Sequence, residues 1–248
     1  MEVHHHPHVE KKSFKEYFLE FLMIFLAVTL GFLAESLREH MIELNREKQY
    51  VKSFYEDLSA DENDQQKIIN SLDKEVNIAD SLTALLSNSS MSQPANRIYM
   101  YLRDITRSSG VRLEVNDRTI VQLRNAGGMR LIKNKSVSDS MVSYYKEVDY
   151  LSFLFAEALN IKKSLREKSQ PLLNAGDFAR VIDSNSNNII NPSQILYLRS
   201  VDPEIINKCL IEINNIRGIS SGTKNRIQRL QKRASRIKIF IEKEYNLK

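Results

Sequence analysis

Cysteine and histidine residues are scarce in this chain of 248 residues, and glycine-rich phosphate-binding motifs are absent. Each of these features excludes a class of chemistry. The single cysteine, Cys209, cannot form an intramolecular disulfide. All five histidines lie at or before His40, so the rest of the chain lacks Ser-His catalysis, Cys-His catalysis and histidine metal sites. The C-x-x-C, H-E-x-x-H, P-loop and G-x-G-x-x-G motifs are also absent. We therefore expect neither an enzymatic activity nor a cofactor.

Glycine and proline, the residues that most often interrupt helices, are both missing between positions 32 and 93. A single long helix is predicted there. Its apolar residues follow one heptad frame: Leu37, Met41, Leu44, Val51, Tyr55, Leu58, Ile69, Leu72, Val76, Ala79 and Leu86. The same frame meets polar residues at Lys48, Glu62, Gln65 and Thr83. Because residues 59–66 are acidic and polar, we expect a bend or a solvated segment in that part of the helix.

The longest apolar stretch is Tyr17–Leu37, which as a helix spans about 30 Å, the thickness of the hydrocarbon core of a bilayer. Its uninterrupted core, Phe21–Ala34, is short enough for a buried helix of a soluble protein or for a signal peptide. Thr29 is the only polar residue in that core, and no turn follows the stretch. A transmembrane helix at residues 17–37 is therefore the favoured interpretation, with a tail at 1–16 and an extramembrane domain at 38–248.

Small residues form a stripe along this apolar helix, because Ala27, Gly31 and Ala34 follow one another at steps of four and three. Glu20 and Arg38 continue the stripe at its two ends. Small residues at this spacing let two membrane helices approach closely, although alanine and glycine are also common in spans that do not associate. Glu20 is either a carboxylate at the membrane interface or, in a bundle of several helices, a proton or ion site.

The N-terminal tail contains four of the five histidines, at His4, His5, His6 and His8. A flexible cluster of this kind binds divalent metals, but no cysteine joins it and Pro7 interrupts it. A tail with incidental metal affinity is the favoured interpretation over a dedicated metal site.

The orientation in the membrane depends on the lysines and arginines that flank the span. Three precede it, at Lys11, Lys12 and Lys15, and four follow it within the next turns, between Arg38 and Lys52. Under the positive-inside rule, three basic residues before the span against four after it do not determine the orientation. Since a short basic tail is easily left in the cytoplasm, the expected place of the large domain is the outer, periplasmic side.

The remainder of the chain is predicted to be almost entirely helical. The expected helices are Arg97–Thr106, Asp117–Asn125 with Asp117 as its cap, Ser136 or Ser138 to Lys168, Pro192–Arg199, Pro203–Arg217 and Ser221–Tyr245. Gly218 is expected to close the penultimate helix. Residues 111–115 alternate apolar and charged side chains, which makes them the one strand candidate and the site of a minor β-hairpin.

The last helix combines a heptad seam with a high density of basic residues. The seam consists of Ile227, Leu230, Ala234, Ile237 and Ile241. The surrounding basic residues include Arg226, Arg229, Lys232, Arg233 and Arg236. Three interpretations remain open: antiparallel packing on the acidic residues 56–64 of the first helix, attachment to anionic lipid, and nucleic-acid binding. Nucleic acid is the least expected partner, because no aromatic residue lies among these charges before Phe240.

Three segments carry a resemblance to a known family: EFLMIFLAVTLGFLAESLREH (Glu20–His40), NDRTIVQLRNAGGMRLIKNKSVSDSMVSYY (Asn116–Tyr145) and EKEYNLK (Glu242–Lys248). In these strings the chain resembles the DUF6090 family of uncharacterised bacterial membrane proteins. The resemblance implies a single span, one extramembrane domain and a location in a bacterial inner membrane. It implies no activity and no site residues.

Together these observations predict an all-α protein in which one N-terminal transmembrane helix continues into a long helix and a helical extramembrane domain. The expected function is that of a non-enzymatic membrane-anchored scaffold or partner-binding subunit that self-associates. Its expected partners are the lipid bilayer and either further copies of the chain or another membrane protein. The alternatives are an ion-conducting or sensing oligomer lined by Glu20, and a membrane-bound enzyme or effector acting through carboxylates.

Overall fold

The computed structural model describes residues 13–107, 113–125 and 127–247, and the regular secondary structure in these ranges is helical. The helices are α1 (Phe14–Ser87), α2 (Asn96–Ile105), α3 (Arg118–Asn125), α4 (Lys135–Ser169), α5 (Ala175–Arg180) and α6 (Pro203–Tyr245). Short 3-10 helices occupy Gly128–Leu131 and Gln170–Leu172. The expectation of an all-α fold, with an apolar N-terminal helix that continues without a loop, is confirmed.

The chain divides into two compact units, Met1–Gln49 and Tyr50–Lys248. The first unit carries the apolar part of α1. The second unit carries the remaining part of α1 and all the other helices. The core described below belongs to the second unit.

Helix α6 runs antiparallel to the part of α1 that lies in the second unit. Near the C-terminal end of α6, Lys238 Nζ lies 2.7 Å from a carboxylate oxygen of Glu62. Towards the N-terminal end of α6, Arg217 Nε lies 2.5 Å from a carboxylate oxygen of Asp80. The positions on α1 therefore rise as those on α6 fall, and the expected antiparallel return of the C-terminal helix is confirmed.

Helix α4 lies parallel to α1 and antiparallel to α6. Tyr144 of α4 donates a hydrogen bond to Asp61 of α1 at 3.0 Å. Further along both helices, Lys162 of α4 forms an ion pair with Glu75 of α1. Long helices from three parts of the chain thus share one core in the second unit. The shorter helices α2, α3 and α5 cover its ends.

The core consists of two clusters of buried apolar side chains. The first joins residues 51–72 of α1, 120–123 of α3, 137–151 of α4 and 227–241 of α6. The second joins residues 78–86 of α1, 95–105 around α2, 165–198 and 209–216 of α6. Since each buried Leu, Ile or Phe side chain contributes roughly 1.5–3 kcal/mol of transfer free energy, these clusters supply most of the stabilisation of the unit.

Helix α6 presents one uninterrupted heptad seam to this core. The buried positions are Cys209, Ile213, Ile216, Ser220, Thr223, Ile227, Leu230, Ala234, Ile237 and Ile241, at alternating steps of four and three. The predicted seam is confirmed, whereas the predicted helix end at Gly218 is wrong. The reason is that Ser220 and Thr223 occupy seam positions, so the register continues through a stretch without apolar residues at the seam. The predicted start is correct, because Asp202 accepts hydrogen bonds from the backbone of Glu204 and Ile205.

Helix α1 departs from its predicted heptad frame at four positions of the second unit, because Tyr55, Glu62, Val76 and Thr83 are not buried. The buried residues of α1 are Glu47, Val51, Phe54, Asp57, Leu58, Asp61, Gln65, Ile68, Ile69, Leu72, Ile78, Ala79, Leu82 and Leu86. Asp61 and Gln65 are each only 1% exposed, and the helix continues through residues 59–66. The helix is therefore solvated on one face of this segment and buried on the other, where tertiary hydrogen bonds to Asp61 and Gln65 allow their burial.

Two other predicted elements are wrong. Residues 192–199 are not helical, because the side chain of Asn96 bonds the backbone of this segment, accepting from Leu196 N at 2.8 Å and donating to Gln194 O at 2.9 Å. Residues 113–115 form no strand, and residues 111 and 112 lie outside the described ranges. Leu113 and Val115 instead pack their side chains against the first core cluster.

The apolar middle of α4 also differs from expectation. Because α4 is apolar nearly all round at residues 153–155, its sequence predicts that this part lies at the centre of the domain. In the structure Phe153 is 56% exposed and Leu159 is 46% exposed, so this part of α4 is accessible on one side.

The exposed glycines of α6 provide a test of the continuous seam. A Cβ atom at Gly218 or Gly222 would meet nothing within 4 Å. We expect Gly218→Ala and Gly222→Ala each to raise the free energy of unfolding by about 0.5–1 kcal/mol, because alanine loses less backbone entropy in a helix interior. Chemical denaturation measures the change.

Gly127→Ala is the matched control for this prediction. Gly127 has a φ of +61°, which alanine rarely adopts, so this substitution should lower the stability. A fall in stability for either α6 variant would show that the helix is interrupted between residues 218 and 222.

Candidate functional site

The first candidate site is the apolar part of α1 in the first unit. This helix is long and apolar enough to cross a membrane by length and composition, and none of its most apolar window of 18 residues is buried. Phe21, Ile24, Leu30 and Phe32 are each more than 60% exposed. A continuous exposed apolar surface of this kind requires a lipid or protein partner.

Polar groups within this part of α1 are bonded inside the helix itself. The Thr29 hydroxyl donates to the carbonyl of Phe25 at 2.8 Å. The guanidinium of Arg38 forms two hydrogen bonds to Glu35, at 2.9 and 2.5 Å, three residues earlier on the helix. In hydrocarbon, unbonded polar groups cost several kcal/mol each, so this arrangement suits a helix surrounded by lipid.

The predicted packing stripe lies on this helix, and the structure leaves its small residues accessible. Ala27, Gly31 and Ala34 are exposed, and a Cβ atom built on Gly31 meets nothing within 4 Å. Glu20 is half-buried at one end of the stripe and Arg38 is exposed at the other. Association through this stripe stays a prediction, as does a proton or ion role for Glu20.

The basic residues of α6 fall into two groups. Arg226 is held by the domain, with its guanidinium 3.0 Å from a carboxylate oxygen of Glu147 and 4.4 Å above the ring of Tyr150. The other four predicted residues are exposed, and none forms an ion pair within the described ranges: Arg229, Lys232, Arg233 and Arg236.

The acidic residues 56–64 of α1 do not meet these exposed charges. Glu62 pairs with Lys238 of α6, but Asp57 and Asp61 are buried against α3, α4 and the segment before α3. The expected pairing of Arg229 and Arg233 with the acidic segment is therefore wrong, although the two helices do pack antiparallel.

A second candidate site is the buried pair of carboxylates Asp57 and Asp61, because buried acids are typical of active sites. Asp57 accepts hydrogen bonds from the backbone N–H and the hydroxyl of Thr119 at the beginning of α3. Asp57 thus supplies the side chain that bonds the first turn of α3, the role that the sequence assigned to Asp117. Arg118 adds an ion pair at 3.5 Å.

Asp61 joins three elements in the same cluster. One carboxylate oxygen accepts from the backbone and the side-chain amide of Asn116, both at 2.8 Å. The other accepts from Tyr144, whose hydroxyl also accepts from Gln65 at 3.1 Å. Burial raises the pKa of Asp61, although the bonds from Asn116 and Tyr144 oppose the shift. The carboxylate oxygens of Asp57 and Asp61 are thus occupied by hydrogen bonds, which hold the chain before α3 onto α1 and α4.

A third group of charges links the long helices. Glu75 of α1 pairs with Lys162 of α4 and accepts a hydrogen bond from Ser220 of α6 at 2.9 Å. Only 6% of the Lys162 side chain is exposed. Because its members are mutually satisfied, this group serves the packing of the bundle rather than a reaction.

A cavity of about 360 Å³ lies between the C-terminal part of α2, α4 and the chain around α5. We call it the arginine cavity, because Arg103, Arg107 and Arg166 line it together with Thr106, Phe178, Ile182 and Asn187. Sequence reasoning missed this site. Its arginines come from two helices separated by a long stretch of chain, and they form no motif that a single sequence reveals.

Metal binding is the remaining sequence prediction. The histidine cluster lies in residues 1–12, outside the described ranges. Among the described residues, no group of three or more His, Cys, Asp or Glu side chains is placed to hold a metal ion. Cys209 is buried, and burial raises the pKa of its thiol to about 11, which disfavours the reactive thiolate.

Comparisons with family models, with curated proteins and with solved structures find no match to this chain. The resemblance to the DUF6090 family therefore stays an expectation from the sequence, and the functional argument depends on the geometry alone.

The raised pKa of Asp61 predicts a contribution to folding stability that changes with pH, and Asp61→Asn should lack this contribution. The folded pKa lies above the unfolded value, so the Asp61 contribution to stability falls as the pH rises through that interval. Asp61→Asn should therefore gain stability relative to the wild type as the pH rises above about 4, the ordinary pKa of an aspartate. Denaturation at several pH values measures this difference.

Asp61→Ala is the control for this prediction. Both variants lack the titrating carboxyl, so Asp61→Ala should be less stable than Asp61→Asn by an amount of about 1–3 kcal/mol that does not change with pH, because in the alanine variant the donors of Asn116 and Tyr144 lose their partner. A difference between Asp61→Asn and the wild type that does not change with pH would contradict the raised pKa.

The buried ion pair of Glu75 and Lys162 predicts strong coupling. Lys162→Met should lower the free energy of unfolding by about 3–5 kcal/mol, because Glu75 keeps a poorly compensated charge. Adding Glu75→Leu should restore most of this loss. Thermal and chemical denaturation of the two single variants and the double variant give the coupling energy.

The exposed pair of Lys67 and Asp64 is the matched control for the buried pair, since it lies on the same helix with both side chains more than half exposed. Lys67→Met should cost less than about 1 kcal/mol. Equal effects of Lys67→Met and Lys162→Met would contradict the burial of the Glu75 pair.

Proposed function

We propose that this protein is a non-enzymatic scaffold or partner-binding subunit that α1 anchors in a membrane. The observation that carries this proposal is the apolar part of α1, of which no residue in the most apolar window is buried and in which Thr29 and Arg38 bond within the helix. The buried carboxylates support the non-enzymatic part, because their oxygens are occupied by structural hydrogen bonds.

Self-association is the second part of the proposal. Association of membrane helices depends on close packing of backbones rather than on the hydrophobic effect, so accessible small residues are the feature to expect. Ala27, Gly31 and Ala34 provide such a stripe on α1. A homo-oligomer is thus the favoured partner arrangement, and a second membrane protein that uses the same stripe is the alternative.

The setting that we propose is a bacterial inner membrane, with the large domain on the periplasmic side. The resemblance to the DUF6090 family and the short basic tail support this assignment. An ion-conducting or sensing oligomer remains the second candidate, favoured by the position of Glu20 on the same stripe as Gly31.

The anchoring proposal predicts that the full chain sediments with membranes after lysis without detergent and dissolves in mild detergent. In that detergent, its mass should exceed that of one chain. Gly31→Leu should weaken the association by about tenfold or more, because a bulky side chain separates the helix backbones. Analytical ultracentrifugation at several protein-to-detergent ratios measures this.

Thr29→Leu is the control for Gly31→Leu, since Thr29 lies near the same depth on the other side of the helix. It should leave the association within about twofold of the wild type. A soluble full-length chain would overturn the anchoring proposal. A monomer in every mild detergent, or equal effects of the two variants, would overturn self-association through the stripe. Ion flux that Glu20→Gln alters would favour the conducting oligomer.

A further inference from the structure

The arginine cavity concentrates positive charge among its described lining residues. Its described lining residues include three guanidinium groups and no carboxylate. Two acidic residues that neighbour the lining in the chain, Asp104 beside Arg103 and Asp177 beside Phe178, are engaged elsewhere. Asp104 pairs with Lys74 at 2.6 Å, and Asp177 pairs with Arg180 at 3.1 Å. Arg103 and Arg107 therefore have no carboxylate partner among the described lining residues, and an anionic ligand can supply one.

This concentration of charge is unfavourable in the absence of an anion. Burial lowers the pKa of Arg103, and the neighbouring charges of Arg107 and Arg166 lower it further. A bound anion would reverse the effect of the neighbouring charges, because each guanidinium would then face a negative group instead of another cation.

The arginines are also held in place before any ligand arrives. The guanidinium of Arg103 lies 4.6 Å from the centre of the Phe178 ring. Arg107 donates to the carbonyl of Asn187 at 3.0 Å, and Arg166 donates to the carbonyl of Thr106. A guanidinium has five N–H donors, so the single bond formed by Arg107 leaves donors for a ligand. Side chains ordered in advance lose less entropy on binding.

The dimensions and chemistry of the cavity define the class of ligand. Arginine binds phosphate oxygens in a bidentate manner, and a phosphate monoester has a charge of about −1.5 to −2 near neutral pH. A volume of about 360 Å³ lies within the range of small-molecule sites, which is roughly 300–1,000 Å³. Phe178 and Ile182 add an apolar wall for an organic group.

We propose that the arginine cavity binds a phosphate-bearing anion with at least two negative charges, through Arg103 and Arg107 with Arg166 contributing to the field. A soluble phosphate ester and the phosphomonoester headgroup of a lipid share this chemistry. The proposal does not depend on membrane anchoring or on self-association.

Calorimetric titration of the full chain in mild detergent with inorganic pyrophosphate, at constant ionic strength, tests the proposal. We expect saturable binding with one site per chain. The double variant Arg103→Gln/Arg107→Gln should weaken this binding by about tenfold or more. If the double variant is unstable, the single variant Arg107→Gln provides a second measurement, because it leaves the contact of Arg103 with Phe178 intact.

The control is Arg229→Gln/Arg233→Gln, which removes the same charge from the exposed face of α6. It should bind pyrophosphate within about twofold of the wild type. Absence of saturable binding, or equal losses in the cavity variant and the control, would overturn the proposal. Equal losses would indicate attraction by net charge alone.

Mixed micelles distinguish the two sources of the ligand. Phosphatidic acid carries a phosphomonoester headgroup, and phosphatidylglycerol provides anionic micelles with a phosphodiester. If phosphatidic acid weakens pyrophosphate binding more than phosphatidylglycerol does, the cavity binds a lipid headgroup. If both lipids have the same effect, the cavity binds a soluble phosphate.

Discussion

The folded unit depends on the packing of α6 along α1 and α4. Ten seam positions of α6, from Cys209 to Ile241, are buried, and the apolar clusters of the core form around them. At roughly 1.5–3 kcal/mol for each large apolar side chain, this seam outweighs any surface ion pair, which contributes at most about 1 kcal/mol. The short helices add to a core that the long helices have already defined.

Polar residues within the seam determine the alignment of the long helices. Apolar side chains tolerate a shift by one heptad, because leucine and isoleucine contact each other in either register. Asp61, Glu75 and Ser220 do not tolerate it, since a shift would separate each from its partner and leave a buried group unsatisfied. We infer that apolar burial provides the stability of the bundle and that these polar contacts select its register.

The distribution of arginines separates structural from functional charge in this domain. Arg217 and Arg226 pair with carboxylates of neighbouring helices and so contribute to packing. Arg103 and Arg107 line the arginine cavity, whose described lining residues include no carboxylate. Charge that is concentrated and left uncompensated has an energetic cost, which a ligand of opposite charge can offset.

The sequence by itself determined the elements whose signal is local. The apolar part of α1, the start of α6 at Asp202 and Pro203, and the seam from Ile227 to Ile241 follow from composition, capping and periodicity. Tertiary structure decided where polar residues are buried, as at Asp61, because their partners lie far away in the chain. Tertiary structure also determined that residues 192–199 are not helical, because their backbone bonds the side chain of Asn96. It brought together the residues that line the arginine cavity. Hydrogen bonds and charges between distant residues leave no periodic trace in a single sequence, whereas the burial of an apolar helix face does.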